Sequence, residues 1–184
     1  MTSSNPARGA PRLSPRSPLL IRSAVAALCV GAVGMAAAQT TAGESAAKRL
    51  PDGNFPVPGK HQYWDGWGAG RGHEGQDIGA RCRARVEVAQ TGRLVKRGTE
   101  AGWGKYAVVN VRGANKANLY AHLRGKARPK QGDRVKAGDR LGKVGRSGSA
   151  TACHLHFEYW RGGWPDGSAS RKVTKVLRHW DRGG

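Results

Sequence analysis

Tyr106-Ala107-Val108-Val109-Asn110-Val111 is an almost unbroken apolar run, rich in β-branched side chains. Its composition and length predict a buried strand rather than a helix. The pattern repeats outward from it. Upstream, Ala84-Arg85-Val86-Glu87-Val88 alternates with period two, and Thr91-Gly92 turns the chain into Arg93-Leu94-Val95. Downstream, strands are predicted at Asn118 to Leu123, Arg140 to Val144 and His154 to Trp160. Gly and Asp punctuate the gaps, and Gln131-Gly132-Asp133 and Ala137-Gly138-Asp139 each read as a hairpin turn. Many short strands at close spacing predict an all-β, antiparallel domain. One helix is expected, near the end. Val173, Val176, Leu177 and Trp180 fall at i, i+3, i+4 and i+7, with Ser170 as the cap, Gly183 as the stop and a basic opposite side.

The remaining organisation follows from composition. The chain has 184 residues, 38% of them hydrophobic, and 28 Gly, about twice the usual share. That is room for one domain and a tail, and it excludes collagen, a coiled coil and a multispanning membrane protein. Lys+Arg number 32 against 12 Asp+Glu, a net charge of +20, which calls for a polyanionic partner without choosing among nucleic acid, membrane and cell wall. Arg8, Arg12, Arg16 and Arg22 precede the uncharged run Ser23 to Ala38, which ends in Ala36-Ala37-Ala38. This is the layout of a secretory signal, with cleavage expected after Ala38 and no transmembrane anchor thereafter. The expected organisation is a signal over 1–38, a linker over 39–53, a catalytic domain over 54–166 and a basic tail or helix over 167–184. Loss of Cys29 with the signal leaves Cys82 and Cys153, an even count that in an exported protein predicts a disulfide.

Histidines carry the chemistry. In His154-Leu155-His156 a strand would point both imidazoles into one site and send Leu155 and Phe157 to the core. His73 and Asp77 are spaced His-x-x-x-Asp inside a glycine-rich segment free to bend. Two His and a carboxylate suit zinc and leave a position for water, which a metal makes nucleophilic near neutral pH. Spare histidines nearby suit proton transfer.

The joint pattern is specific. Gly70-Arg71-Gly72-His73-x-Gly75-x-Asp77-Ile78-Gly79-Ala80, then Leu119-Tyr120-Ala121-His122-Leu123, then Cys153-His154-Leu155-His156-Phe157-Glu158 resembles the lysostaphin/LytM-type zinc endopeptidases that cut peptidoglycan cross-bridges. Gly102 to Val109 is similar to that family's central strand, and Val135 to Gly145 to its following hairpin; the resemblance covers residues 55–165. It implies an antiparallel sheet with a groove over the metal, one zinc per chain held by His73, Asp77 and His156, and His122 and His154 as catalytic histidines that do not bind the metal. His154 is the expected general base, and His122 the expected donor to the oxyanion or the leaving amine. His61 and His179 match nothing and are expected at the surface. Cys153 stands where the family often has Pro, and the basic C-terminal helix replaces the family's usual ending. The reading is a secreted, monomeric, cell-wall-associated hydrolase of peptidoglycan, with no nucleic-acid partner. The alternative is an inactive relative that binds wall or activates another hydrolase. Glycine bridges and D-alanyl–diaminopimelate links both remain open as the bond cut.

Overall fold

The computed structural model describes residues 50–70 and 72–183. The predicted signal and residues 39–49 of the predicted linker lie outside them. Ten strands and one helix follow in order: β1 His61–Tyr63, β2 Gln76–Ala80, β3 Arg85–Glu87, β4 Gly92–Glu100, β5 Gly104–Val111, β6 Lys116–Ala121, β7 Arg134–Val135, β8 Arg140–Lys143, β9 His154–Arg161, β10 Ser168–Ala169 and α1 Val173–Asp181. The main sheet runs β1-β2-β9-β6-β5-β4-β7, with β10 also on β9, and β3-β8 forms a second, two-stranded sheet. Every pairing is antiparallel. The all-β expectation with a short C-terminal helix therefore holds.

The main core lies against one face of the large sheet. Ile78, Val109, Tyr120, Leu155 and Phe157 meet Val86, Leu141 and Val144 of the small sheet and its flanks, together with Val173, Val176, Leu177 and Trp180 of α1. The helix thus buries the stripe read from its spacing. Its start differs from expectation. The N-cap is Lys172, with no side-chain cap. Ser170 sits two residues earlier, where its carbonyl accepts from Val173 N and its hydroxyl oxygen accepts from Lys172 N. Trp180 locks the helix by edge contacts to Phe157 and Tyr159 and by donating to Pro51 O at 2.6 Å. No helix among the described residues is long and apolar enough to cross a membrane.

The two turns containing Gly132 and Gly138 are built alike. Each glycine has positive φ, and each following Asp accepts from the backbone N–H three residues earlier (Lys130 N to Asp133 Oδ2, 2.7 Å; Lys136 N to Asp139 Oδ2, 2.8 Å). A Cβ would disfavour that backbone, so the Gly-Asp pairs fix both corners.

Candidate metal centre

Sheet register brings the first two groups together. In the β2–β9 ladder Asp77 stands opposite His156, and Gly79 opposite His154. Alternation along β9 then sends His154, His156 and Glu158 to one face and Leu155, Phe157 and Tyr159 to the other. His73 arrives from the loop before β2. That loop folds back on itself through Gly68 N to His73 O (2.8 Å) and His73 N to Ala69 O (3.3 Å). Gly75 is needed there, because a Cβ would stand 2.5 Å from His156 Cε1.

His73 Nε2, Asp77 Oδ1 and His156 Nδ1 converge. The separations are 3.0 Å (His73–Asp77), 2.9 Å (His73–His156) and 2.9 Å (His156–Asp77). The other ring nitrogens define the tautomers. His73 Nδ1–H donates to Gly66 O at 2.8 Å, and His156 Nε2–H donates to Glu158 Oε1 at 2.9 Å. The inward atoms therefore each carry a lone pair, and three acceptors in mutual contact repel unless a cation or added protons lie between them. Two nitrogens and one oxygen form a suitable donor set for zinc, and outer bonds to a carbonyl and a carboxylate are how metal-binding imidazoles are usually oriented. The residues fit the ion.

Electrostatics agree. Burial disfavours charge on His156, yet Asp77 and Glu158 outweigh it and raise its pKa to about 9. The hydrogen bond to Asp77 raises His73 against its own burial. Asp77 itself is held well below the usual carboxylate range; burial opposes this, but hydrogen bonds from His156 and His73 prevail. The field that draws protons to these imidazoles also draws a metal cation.

His122 and His154 overlook the same spot. His154, 7% exposed, donates Nδ1–H to Ala152 O at 3.0 Å and places Nε2 3.6 Å from Asp77 Oδ2. His122 lies just past the end of β6 at φ 60°, a left-handed conformation uncommon for a side-chain-bearing residue. Its N–H on Trp103 O and its Nδ1–H on Ser147 O, both 2.8 Å, hold that kink and turn the ring into the groove. The His122 and His154 rings are 4.6 Å apart. Burial pushes the His122 pKa down to about 4, against the Ser147 bond. All five histidine and aspartate positions singled out in the sequence thus line one groove of about 520 Å³, with Trp103 and Glu158.

Glu158 was not singled out. It is 1% exposed and accepts from His156 Nε2, from Trp103 Nε1 (3.0 Å) and from Trp160 Nε1 (2.6 Å). The continued period in His154-x-His156-x-Glu158 was the signal that could have found it. Cys82 and Cys153 are bridged, with Cα atoms 5.2 Å apart, which ties the segment after β2 to the start of β9. His61 and His179 stand outside the groove, both half-buried. His61 packs on Phe55 and pairs with Asp181 of α1 at 3.2 Å, so it is a strut between β1 and the helix, not a free surface residue.

Residues 71–167, more than half of the chain, match Peptidase family M23. The chain belongs to that family. The chain is 36% identical over 99 residues to the glycyl-glycine endopeptidase ALE-1 of Staphylococcus capitis, covering 48% of this chain and 25% of ALE-1. The chain thus spans about a quarter of that relative's length. The catalytic domain of lysostaphin from Staphylococcus simulans superposes with a TM-score of 0.58 at 27% identity, over 63% of this chain and 92% of that one. A zinc-containing peptidase from Vibrio cholerae gives 0.56 at 25%, over 65% and 39%.

Proposed function

We propose that this M23 peptidase is an exported zinc endopeptidase that hydrolyses peptide cross-bridges of bacterial peptidoglycan. One observation carries the reading: lone-pair atoms of His73, Asp77 and His156 meet within 3.0 Å in a groove overlooked by His122 and His154. The names of its relatives support the substrate class, and the Cys82–Cys153 bridge agrees with an oxidising compartment. His73, Asp77 and His156 would hold one zinc per chain. When bound, the metal polarises the scissile carbonyl and makes water nucleophilic near neutral pH.

The chain's own residues manage the protons. Both His122 and His154 commit Nδ1–H to a backbone carbonyl, so each presents an Nε2 lone pair to the groove. His154 is the placed acceptor, with Nε2 3.6 Å from Asp77 Oδ2 at the edge of the ligand cluster. It takes the proton of the attacking water and returns it to the leaving amine. His122, kept neutral by burial, lies beside it, the two ring centroids 4.6 Å apart. It becomes a donor to the oxyanion only with a proton on Nε2, either by protonation or by releasing Ser147.

The test is mass spectrometry of fragments released from several purified peptidoglycans. New amine and carboxylate ends at the cross-bridge are expected, lost with a chelator and regained with zinc. His122→Ala and His154→Ala should each keep zinc and lose about 10²-fold in rate. If the wild type binds wall but cuts none of the substrates, the reading gives way to the inactive, wall-binding alternative.

A further inference from the structure

Two more clefts open beside the metal groove, of about 560 and 580 Å³, and Cys153 borders both. The first is edged by Lys60, Arg81, Arg85 and Trp64, and the second by Lys105, Arg124 and Arg146. Neither is bordered by an Asp or a Glu, whereas the metal groove holds Glu74, Asp77 and Glu158. Arg85 is engaged with Glu87 at 2.8 Å, and Lys105 with Arg124 O at 3.2 Å. The side chains of Lys60, Arg81, Arg124 and Arg146 are exposed and make no ion pair or hydrogen bond with any described residue.

Both clefts reach the reacting centre. Thr151 borders the second cleft and the metal groove alike. The Trp64 ring lies 5.7 Å from that of His154. Trp64 is 43% exposed, the one large apolar side chain so exposed among the described residues. Its placement depends on Gly79, the ladder partner of His154, where a Cβ would collide with the indole. A flat aromatic face is therefore held open beside a proposed catalytic histidine, with unpaired cations around it.

We propose that these clefts are binding sites for carboxylate groups of the substrate, one on each side of the disulfide, with Trp64 covering the peptide between its charged ends. The proposal rests on the endopeptidase reading and deepens it: the preferred substrate is an acidic peptide with free carboxylates, not a neutral one. Exposed ion pairs are individually weak, so two cations in a cleft give roughly a twofold to thirtyfold preference for the free acid.

The experiment is calorimetric binding of short, uncleavable stem peptides in free-acid and fully amidated forms, which requires no catalysis. Wild type should bind the acid form several-fold more tightly, and added salt should erase the difference. Lys60→Gln/Arg81→Gln and Arg124→Gln/Arg146→Gln should each reduce the preference. Trp64→Ala should weaken both forms equally. Lys172→Gln/Lys175→Gln, which removes the same charge from exposed positions at the N-terminal end of the helix region, should change nothing. Equal binding of both forms, or equal loss in the helix-region variant, would overturn the proposal in favour of a net-charge effect. Displacement by inorganic polyphosphate from wild type and both cleft variants alike would overturn it in favour of a general polyanion surface. Failure to cut peptidoglycan would count against the endopeptidase reading alone, since the binding preference is read separately.

Discussion

The two faces of β9 are made from the same eight residues and do opposite things. Leu155 and Phe157 are fully buried against the small sheet and the helix, in a dry core. His154, His156 and Glu158 are nearly as buried, but every one of them is polar and each has a partner. Burial on the first face stabilises the fold. On the second, Asp77 and Glu158 raise the proton affinity of His156 against its burial, and the same charges favour a metal cation. The alternation of a strand is what allows one segment to carry both.

Substitutions on the two faces should therefore separate function from stability. The largest functional effect is expected for His156→Ala or Asp77→Ala. Each removes a metal donor, and the metal supplies several kcal/mol of transition-state stabilisation, so activity should fall by about 10³-fold or more. Elemental analysis should show the zinc gone. Full zinc occupancy in His156→Ala would break the ligand assignment.

Leu155→Ala is the complementary change, one residue away. It leaves a cavity between the sheets and should cost about 2–5 kcal/mol of folding stability. The rate per folded molecule and the zinc content should stay close to wild type. A large rate loss in this variant, with its stability intact, would show that the faces are not independent.

These contrasts also explain what could be read from the sequence. β5 and β9 were legible because burial on one or both faces writes itself as apolar runs or strict alternation, and α1 because four apolar residues at helical spacing mark its buried side. β2 was not read as a strand. Gln76-Asp77-Ile78-Gly79-Ala80 has one β-branched residue and two small ones, and it is a strand because β1 and β9 pair with it on both sides. β1, β7 and β10, of two or three residues each, were not read either, and each is held by a single neighbouring strand. The site residues were legible through a motif. Their partners were not: Gly66 for His73, Ser147 for His122 and Trp103 for Glu158 are 7, 25 and 55 residues away. The positive φ of His122 follows from bonds to Trp103 and Ser147, which no local pattern announces.

Glu158→Gln sharpens the comparison within the polar face. Gln can keep one carbonyl oxygen for His156 but loses the carboxylate charge and one of the two acceptor oxygens that serve Trp103 and Trp160. Outer partners of this kind are worth about 10–100-fold in metal affinity. Competition with a chelator should show that loss. The stability of the metal-free protein should change less than in Leu155→Ala, which a purely structural role for Glu158 would not allow.

The smallest expected effect is a pH dependence. His122 titrates near pH 4 when folded, chiefly because burial disfavours its charged form, against 6.5 for an ordinary histidine. Between those values the unfolded chain binds more protons at this position than the folded one does. Unfolding free energy therefore rises with pH across that window, and His122's share is complete above pH 6.5 and lost as the pH falls toward 4. The groove is open to water, which screens the effect to the order of 1 kcal/mol. His122→Asn tolerates the left-handed backbone but cannot titrate. Urea unfolding of both proteins at pH 7.0, 5.5 and 4.5 (about one unit apart through the window) should show the wild type losing more stability on acidification than the variant. His73, Asp77 and His156 are present in both, so the difference reports His122 and its coupling to His156, His154 and Asp77. Parallel pH curves would mean that His122 is as solvated as a surface histidine, and that the polar face does not shield it as its burial implies.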